Sequence, residues 1–277
     1  MAGRWFRHNG LLGMILGFLL LIALCGLIGT LISPHNPNAQ DLQVGVTSHS
    51  SNFWLGTDSL GRDIVSRTVV GARSAIIGPI LIALGTALIS IVLGVYAGYR
   101  GGLLDSIIMR FVDFAYSTPP LLLVVVIVGL IGGGYFVAVA VLVVISVPYD
   151  IRVIRAVTLE QRGLPYIEAA RTLGISDRRI MARHIVPNVV PFVVINSCLE
   201  FAFGLVTLAA LSFLGLGSPP GTADWGRMLD ENRAIIFQNP AAVFAPGILL
   251  VATAAAVNLV GDMISERFSE RALLRAG

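Results

Sequence analysis

The chain has 277 residues, 56% of them apolar and 13% charged, with a mean hydropathy of +0.84. That usage excludes an ordinary water-soluble globular domain and marks a membrane protein. The formal charge is +3 and every basic residue is Arg, but no soluble basic domain is left over to bind nucleic acid.

Arg4 and Arg7 precede an apolar run from Leu11 to Ile32. That run is about 22 residues, or roughly 33 Å as helix, which fits a full span better than a cleavable signal segment. No small-x-small site follows it, so it is read as a retained first helix. Further runs long enough to cross a bilayer fall near residues 75–99, 107–131, 135–150, 189–213 and 243–263, predicting an all-α membrane protein with six transmembrane helices. The fourth is the shortest: its core is Phe136 to Val147, and Pro148 is expected to bend or end it unless neighbouring helices re-satisfy the backbone. Pro119 and Pro120 raise the same question in the third run.

With the N-terminus in the cytoplasm, six crossings put 14 Arg inside and five outside, the five being Arg62, Arg67, Arg73, Arg227 and Arg233. The positive-inside bias supports that orientation and places both termini in the cytoplasm. Two outer segments, about 33–73 and 215–242, are rich in Gly, Pro, Ser, Asn and Asp, as exposed loops are.

The inner segment, about 152–188, differs in kind and reads as two short helices around a glycine. Pro165 suits a first helical position, Ile167, Ala170 and Leu173 recur at helical spacing, and Gly174 suits a left-handed C-cap. Ser176 offers an N-cap with Asp177 in the first turn, and the second helix is expected to stop by Pro187. Glu168 complements the positive end of the first helix dipole. Composition alone leaves two uses open: docking a partner, or lying on anionic headgroups through Arg171, Arg178, Arg179 and Arg183. A DNA-binding helix-turn-helix shares the outline, but tethering between two membrane spans argues against it.

The run Glu168-Ala169-Ala170-Arg171-Thr172-Leu173-Gly174, with Val186-Pro187 at the proper distance, resembles the EAA loop of bacterial ABC importer permeases. His184 and Val186 stand where the general pattern has Ile and Leu, and the run His184 to Asn188 is similar to the dipeptide, oligopeptide and nickel permease subgroup. Two further stretches resemble the second, C-type subunit of that subgroup: Trp54 to Asp63 continued through Ser74, and Leu211 to Gly217 followed by Pro219-Pro220 and Trp225-Gly226. Gly98 to Asp105 and Asn258 to Asp262 extend the likeness over nearly the whole chain.

The resemblance implies an N-terminal helix and extracytoplasmic segment over 1–74, then a five-helix permease core over 75–277 with the EAA loop at 165–187, between helices 4 and 5. It implies Tyr166, Glu168, Ala169, Ala170, Leu173 and Gly174 as the element that docks the ATPase. It also implies the partners: a homologous second permease, two cytoplasmic ABC ATPases and an extracytoplasmic substrate-binding protein. ATP and Mg would be bound by those ATPases, with no cofactor in this chain, and the setting would be the bacterial inner membrane. Peptides or a related small solute are the implied cargo.

No Walker A sequence, HExxH, nucleophile elbow or paired Cys/His spacing is present, and His8, His35, His49 and His184 form no metal-like group. Cys25 and Cys198, far apart in apolar runs, read as small buried hydrophobes. Acidic residues in or near spans are Asp113, Glu200 and Asp262. Asp113 and Asp262 are expected in inter-helix contacts, while Glu200, with Asn196 one turn before it, is a candidate for the pathway. Trp54, Trp225 and Tyr99 are expected as interfacial anchors, and Asp58, Asp63, Asp224, Asp230 and Glu231 are outer acids either solvated or facing a binding protein. A secondary transporter with Glu200 or Asp113 as proton relay, or a membrane scaffold, are the competing classes.

Overall fold

The computed structural model describes residues 2–276, with side chains described for 10–268. Arg4, Arg7, His8, Arg271 and Arg275 lie outside the residues whose side chains are described. The regular structure of the described residues is all helical, with no strand and a single isolated bridge between Thr57 and Asp63. The long helices are α1 (Ala2–Ile32), α2 (Ile64–Arg100), α5 (Tyr135–Arg162), α8 (Val186–Phe213) and α10 (Ala241–Ala276). Between them lie α3 (Gly102–Tyr116), α4 (Pro120–Ile131), α6 (Pro165–Thr172), α7 (Asp177–Ile180) and α9 (Trp225–Asn232).

Five described helices are long and apolar enough to cross a bilayer, or six when α3 and α4 count as one span. The chain is therefore an all-α, multi-pass membrane protein. Two of the expected spans take a different form. The third is not one rod: α3 and α4 meet at 86° across Ser117 to Pro119. The Pro119-Pro120 pair explains the break, because each proline lacks a donor and forces its predecessor out of the helical region. The fourth does not stop at Pro148 but runs for 28 residues to Arg162. Packing overrides the proline there, since Val147, Ile151 and Ile154 are all buried.

The chain divides into two compact units. Unit 1 comprises Met1–Ile80, Val125–Val139 and Phe201–Val260. Its apolar core gathers Ile22, Ile64, Ala75, Leu205, Trp225, Met228 and Leu250. Trp225, expected as an interfacial anchor, is only 2% exposed, and its Nε1 donates to the Thr68 carbonyl at 2.8 Å. Trp54 remains exposed, and the free thiol of Cys25 lies against this core.

The acids expected in the outer loops are held by partners inside unit 1. Asp58 takes the Nε of Arg62 at 2.6 Å, Asp63 takes the Ser66 hydroxyl at 2.6 Å, and Asp224 caps α9 through the Arg227 N–H. Glu231 takes Arg62 at 2.7 Å and Arg67 at 3.2 Å, and Asp230 takes Arg227 and Arg233. Arg67 also donates to the carbonyls of Pro37, Gly221 and Thr222, stitching segments more than 150 residues apart.

Unit 2 comprises Leu81–Val124, Ala140–Glu200 and Gly261–Gly277. Its helices close through small residues. A Cβ on Gly94 would stand 2.9 Å from Ile154, and one on Gly98 would stand 2.8 Å from the Arg155 carbonyl, so this Gly-x-x-x-Gly stripe of α2 lets α5 pack backbone to backbone. Asp113 pairs with Arg152 and Asp105 with Arg155, both ion pairs joining α3 to α5. Asp262 is exposed, and the partly buried free thiol of Cys198 lies beside Gly261.

Candidate functional site

The polar segment between α5 and α8 lies wholly within unit 2. Leu164 adopts an extended conformation and Pro165 opens α6, where a missing N–H costs nothing. Ile167 and Ala170 turn inward onto Tyr99, Ile154, Ile180, Ile185 and Val189. Tyr166, Glu168, Ala169 and Thr172 face outward, with Leu173 beyond them 80% exposed. Ala170, expected on the docking face, is thus a buried contact that seats the helix, while its neighbour Ala169 supplies the small outward residue.

Gly174 ends α6 at φ +75°, with Gly174 N–H bonded to Arg171 O at 2.9 Å and Ile175 N–H to Ala170 O at 3.1 Å. This is the Schellman pattern, and Ile175 packs into the same cluster as Ala170. Ser176 occupies the N-cap of α7 without a side-chain cap bond. Asp177 instead turns to α2, accepting from the Tyr99 hydroxyl at 2.9 Å and pairing with Arg100 at 3.4 Å. Tyr99 is therefore not an interfacial anchor but a buried brace, 2% exposed, with the Arg171 guanidinium 4.9 Å above its ring.

The second helix does not end at Pro187. A π turn over Met181–Ile185 joins α7 to α8, and Val186 N–H bonds to Met181 O, so the wider ladder has absorbed the displacement before the proline arrives. Asn188 reaches back from α8 to the Tyr166 hydroxyl at 3.1 Å and to His184 O at 2.7 Å. The His184 to Asn188 stretch thereby ties the far end of the segment to α6.

Deeper in unit 2, Asn196 donates to Asp150 of α5, and Glu200, one turn on, is 8% exposed with Oε2 lacking a hydrogen bond among the described residues. Ser146, one turn before Asp150, lies within reach of Glu200. The two pathway candidates thus face a neighbouring helix of their own chain. Asp150 stands at the very end of the predicted span, and its i, i+4 spacing from Ser146 mirrors that of Asn196 and Glu200. Among the described residues no group of three or more His, Cys, Asp or Glu side chains is arranged to hold a metal ion.

Five or six membrane-length helices, with a short braced polar helix inside unit 2, define a multi-pass membrane protein. Residues 90–272 match the family of binding-protein-dependent transport system inner membrane components, and the chain belongs to that family. It is a permease subunit of the peptide-permease branch of ABC transporters, C-type. It is 36% identical over 259 residues to the glutathione transport system permease protein GsiD of Pectobacterium atrosepticum, covering 94% of this chain and 86% of that one. It is 30% identical over 254 residues to the probable D,D-dipeptide transport system permease protein DdpC of Escherichia coli, covering 92% and 85%. To the di/tripeptide transport system permease protein DppC of Pseudomonas aeruginosa it is 35% identical over 268 residues, covering 93% and 87%.

Proposed function

We propose that this chain forms half of the translocation pathway of an ABC importer for short peptides and receives the motor's stroke at α6. It pairs with a homologous permease, two cytoplasmic ATPases that bind ATP and Mg, and an extracytoplasmic binding protein. No cofactor is bound and no ATP is hydrolysed in this chain. The matched family and the peptide and glutathione systems named among its relatives support the importer class and the cargo. The core of the machine is residues 75–277, within which the family match falls, with 1–74 added before it. The excess of Arg on the α6 side supports a cytoplasmic location for that helix and both termini, in a bacterial inner membrane.

One observation carries the docking role: α6 buries Ile167 and Ala170 in its own unit and presents Tyr166, Glu168, Ala169 and Leu173 outward. A helix lying on a bilayer would instead keep its apolar stripe for lipid. An exposed Leu at the helix end, beside a small residue and a carboxylate, suits a groove in a protein, where a basic partner residue can meet Glu168. Gly174 ends the helix so that Leu173 stands clear.

The test is a Glu168→Arg, Leu173→Asp double variant, both positions being exposed. The chain should insert and fold while ATP hydrolysis no longer drives uptake and the ATPases no longer co-purify. Normal uptake, with the ATPases retained, would overturn the docking role.

A further inference from the structure

Unit 1 holds a cavity of about 630 Å³, lined by the start of α2, the start of α5, the 38–40 stretch and the turn at 220–223. Its volume lies in the ~300 to 1,000 Å³ range of small-molecule sites. Two arginines line it and no carboxylate does. Arg62 is neutralised by Asp58 and Glu231. Arg73 is exposed and makes no ion pair or hydrogen bond among the described residues, so its charge is the uncompensated one in the cavity. Asn38 and Gln40 line the cavity as well, while Ile77 and Phe136, both exposed, supply an apolar wall.

We infer that this cavity is a binding site for the carboxylate end of a short peptide-like solute, held by Arg73. The inference rests on the peptide-importer reading and names which end of the cargo this subunit takes. A planar guanidinium pairs with a carboxylate through two parallel N–H donors. The amides of Asn38 and Gln40 offer both donors and acceptors to a peptide group, and Phe136 and Ile77 offer a surface to a side chain. No acidic residue lines the cavity to receive an ammonium, so the site selects for the carboxyl end and is indifferent to the amino end. The same position in a membrane protein also suits a phospholipid phosphate, and the lipid arm of the test separates the two.

The test uses the whole complex in phosphatidylcholine nanodiscs without the binding protein, and equilibrium dialysis against labelled dialanine, N-acetyl-dialanine and dialanine amide. Dialanine and its N-acetyl form should bind at least about tenfold tighter than the amide. Arg73→Gln should bring all three within about twofold, and Arg73→Lys should retain part of the preference. Equal binding of acid and amide, no saturable binding, or an unchanged preference in Arg73→Gln would overturn the site. Loss of acid binding when phosphatidylglycerol replaces phosphatidylcholine would assign Arg73 to a lipid phosphate and overturn it equally. ATP-driven dialanine uptake by the wild-type complex with its binding protein is read separately. Uptake without an acid preference removes only the site, whereas no uptake of any peptide by an ATPase-competent complex removes the importer reading.

Discussion

The Tyr99 hydroxyl, at the end of α2, donates to Asp177 at the start of α7 and at the same time accepts from Arg171 of α6 at 3.2 Å. One phenol thus joins α6, α7 and the long helix α2. The brace ties α6 to α2 independently of the chain connection through α5. Tyr99→Phe keeps the packed ring and the cation over it but removes both hydrogen bonds. Asp177 and Arg171 retain access to water, so the cost is expected to be ~1 kcal/mol. Thermal unfolding of the purified chain should register it. Asp177→Asn keeps an acceptor for Tyr99 and loses only the half-exposed Arg100 pair, worth ~0 to 1 kcal/mol, so its effect should be the smaller.

Gly174 offers a cleaner separation of backbone from contact. A Cβ there meets nothing within 4 Å, yet φ is +75°. Gly174→Ala should therefore destabilise through the left-handed conformation alone, by about 1 to 2 kcal/mol. Gly174→Asn should cost less, because Asn tolerates that region. A stability series of Gly, Asn and Ala checks the order, and equal stability of Ala and Asn would show that the left-handed turn is not retained.

In unit 1 the Tyr135 hydroxyl accepts from Gly78 N–H at 2.9 Å and donates to Ser74 O, inserting itself into the i to i−4 ladder of α2 just before Pro79. Tyr135→Phe would leave a backbone donor and a carbonyl apart with nothing between them, each orphan costing ~1 to 3 kcal/mol. Gly78→Ala should be worse, because its Cβ would fall 2.2 Å from the Tyr135 oxygen and 2.5 Å from Leu208. Unfolding midpoints of the two single variants, ranked in that order, are the check.

The parts of this fold that are local were legible in the sequence, and the parts that depend on distant partners were not. Six apolar runs follow from hydropathy, and the turn at Gly174 follows from one glycine after a periodic stretch, because both are decided within a dozen residues. Pro148 misled, since burial of Val147, Ile151 and Ile154 outweighs a missing donor and that packing comes from elsewhere in the chain. Tyr99 and Trp225 misled for a related reason. An aromatic near the end of a span reads the same whether it faces lipid or a buried acceptor, and their acceptors, Asp177 and Thr68, lie 78 and 157 residues away. The acids of the loops look solvated by composition; Asp58 and Asp230 meet arginines three or four residues away, but Arg62 and Arg67 reach Glu231 across 169 and 164 residues, which only the fold supplies. Asp150 falls at the limit of the predicted span, and Leu173, in helical register with the buried Ile167 and Ala170, stands exposed because the chain turns at Gly174.

Glu231 links unit 1 to pH. Burial opposes its ionisation, but the Gly221 N–H and the guanidiniums of Arg62 and Arg67 outweigh that and hold its carboxyl below the usual value of 4.5. The unfolded chain therefore binds a proton at Glu231 more readily than the folded one, so stability rises with pH across this window. The contribution is fully present above about pH 4.5 and is lost as the pH falls through the lower, folded value. Glu231→Gln should destabilise the chain at neutral pH, because Arg62, Arg67 and Arg227 lose a shared anion. The difference in melting temperature between wild type and Glu231→Gln should then shrink as the pH drops below 4.5. Arg67 sets the upper bound of the cluster. It is fully buried and bonded to three carbonyls besides Glu231, so Arg67→Ala should cost ~3 to 5 kcal/mol at neutral pH. Its penalty should persist in acid better than that of Glu231→Gln, because carbonyl acceptors do not titrate. Melting curves of the three proteins between pH 7 and 3.5 decide it, and a Glu231→Gln difference that grows in acid would show that the carboxylate is not held ionised by these arginines.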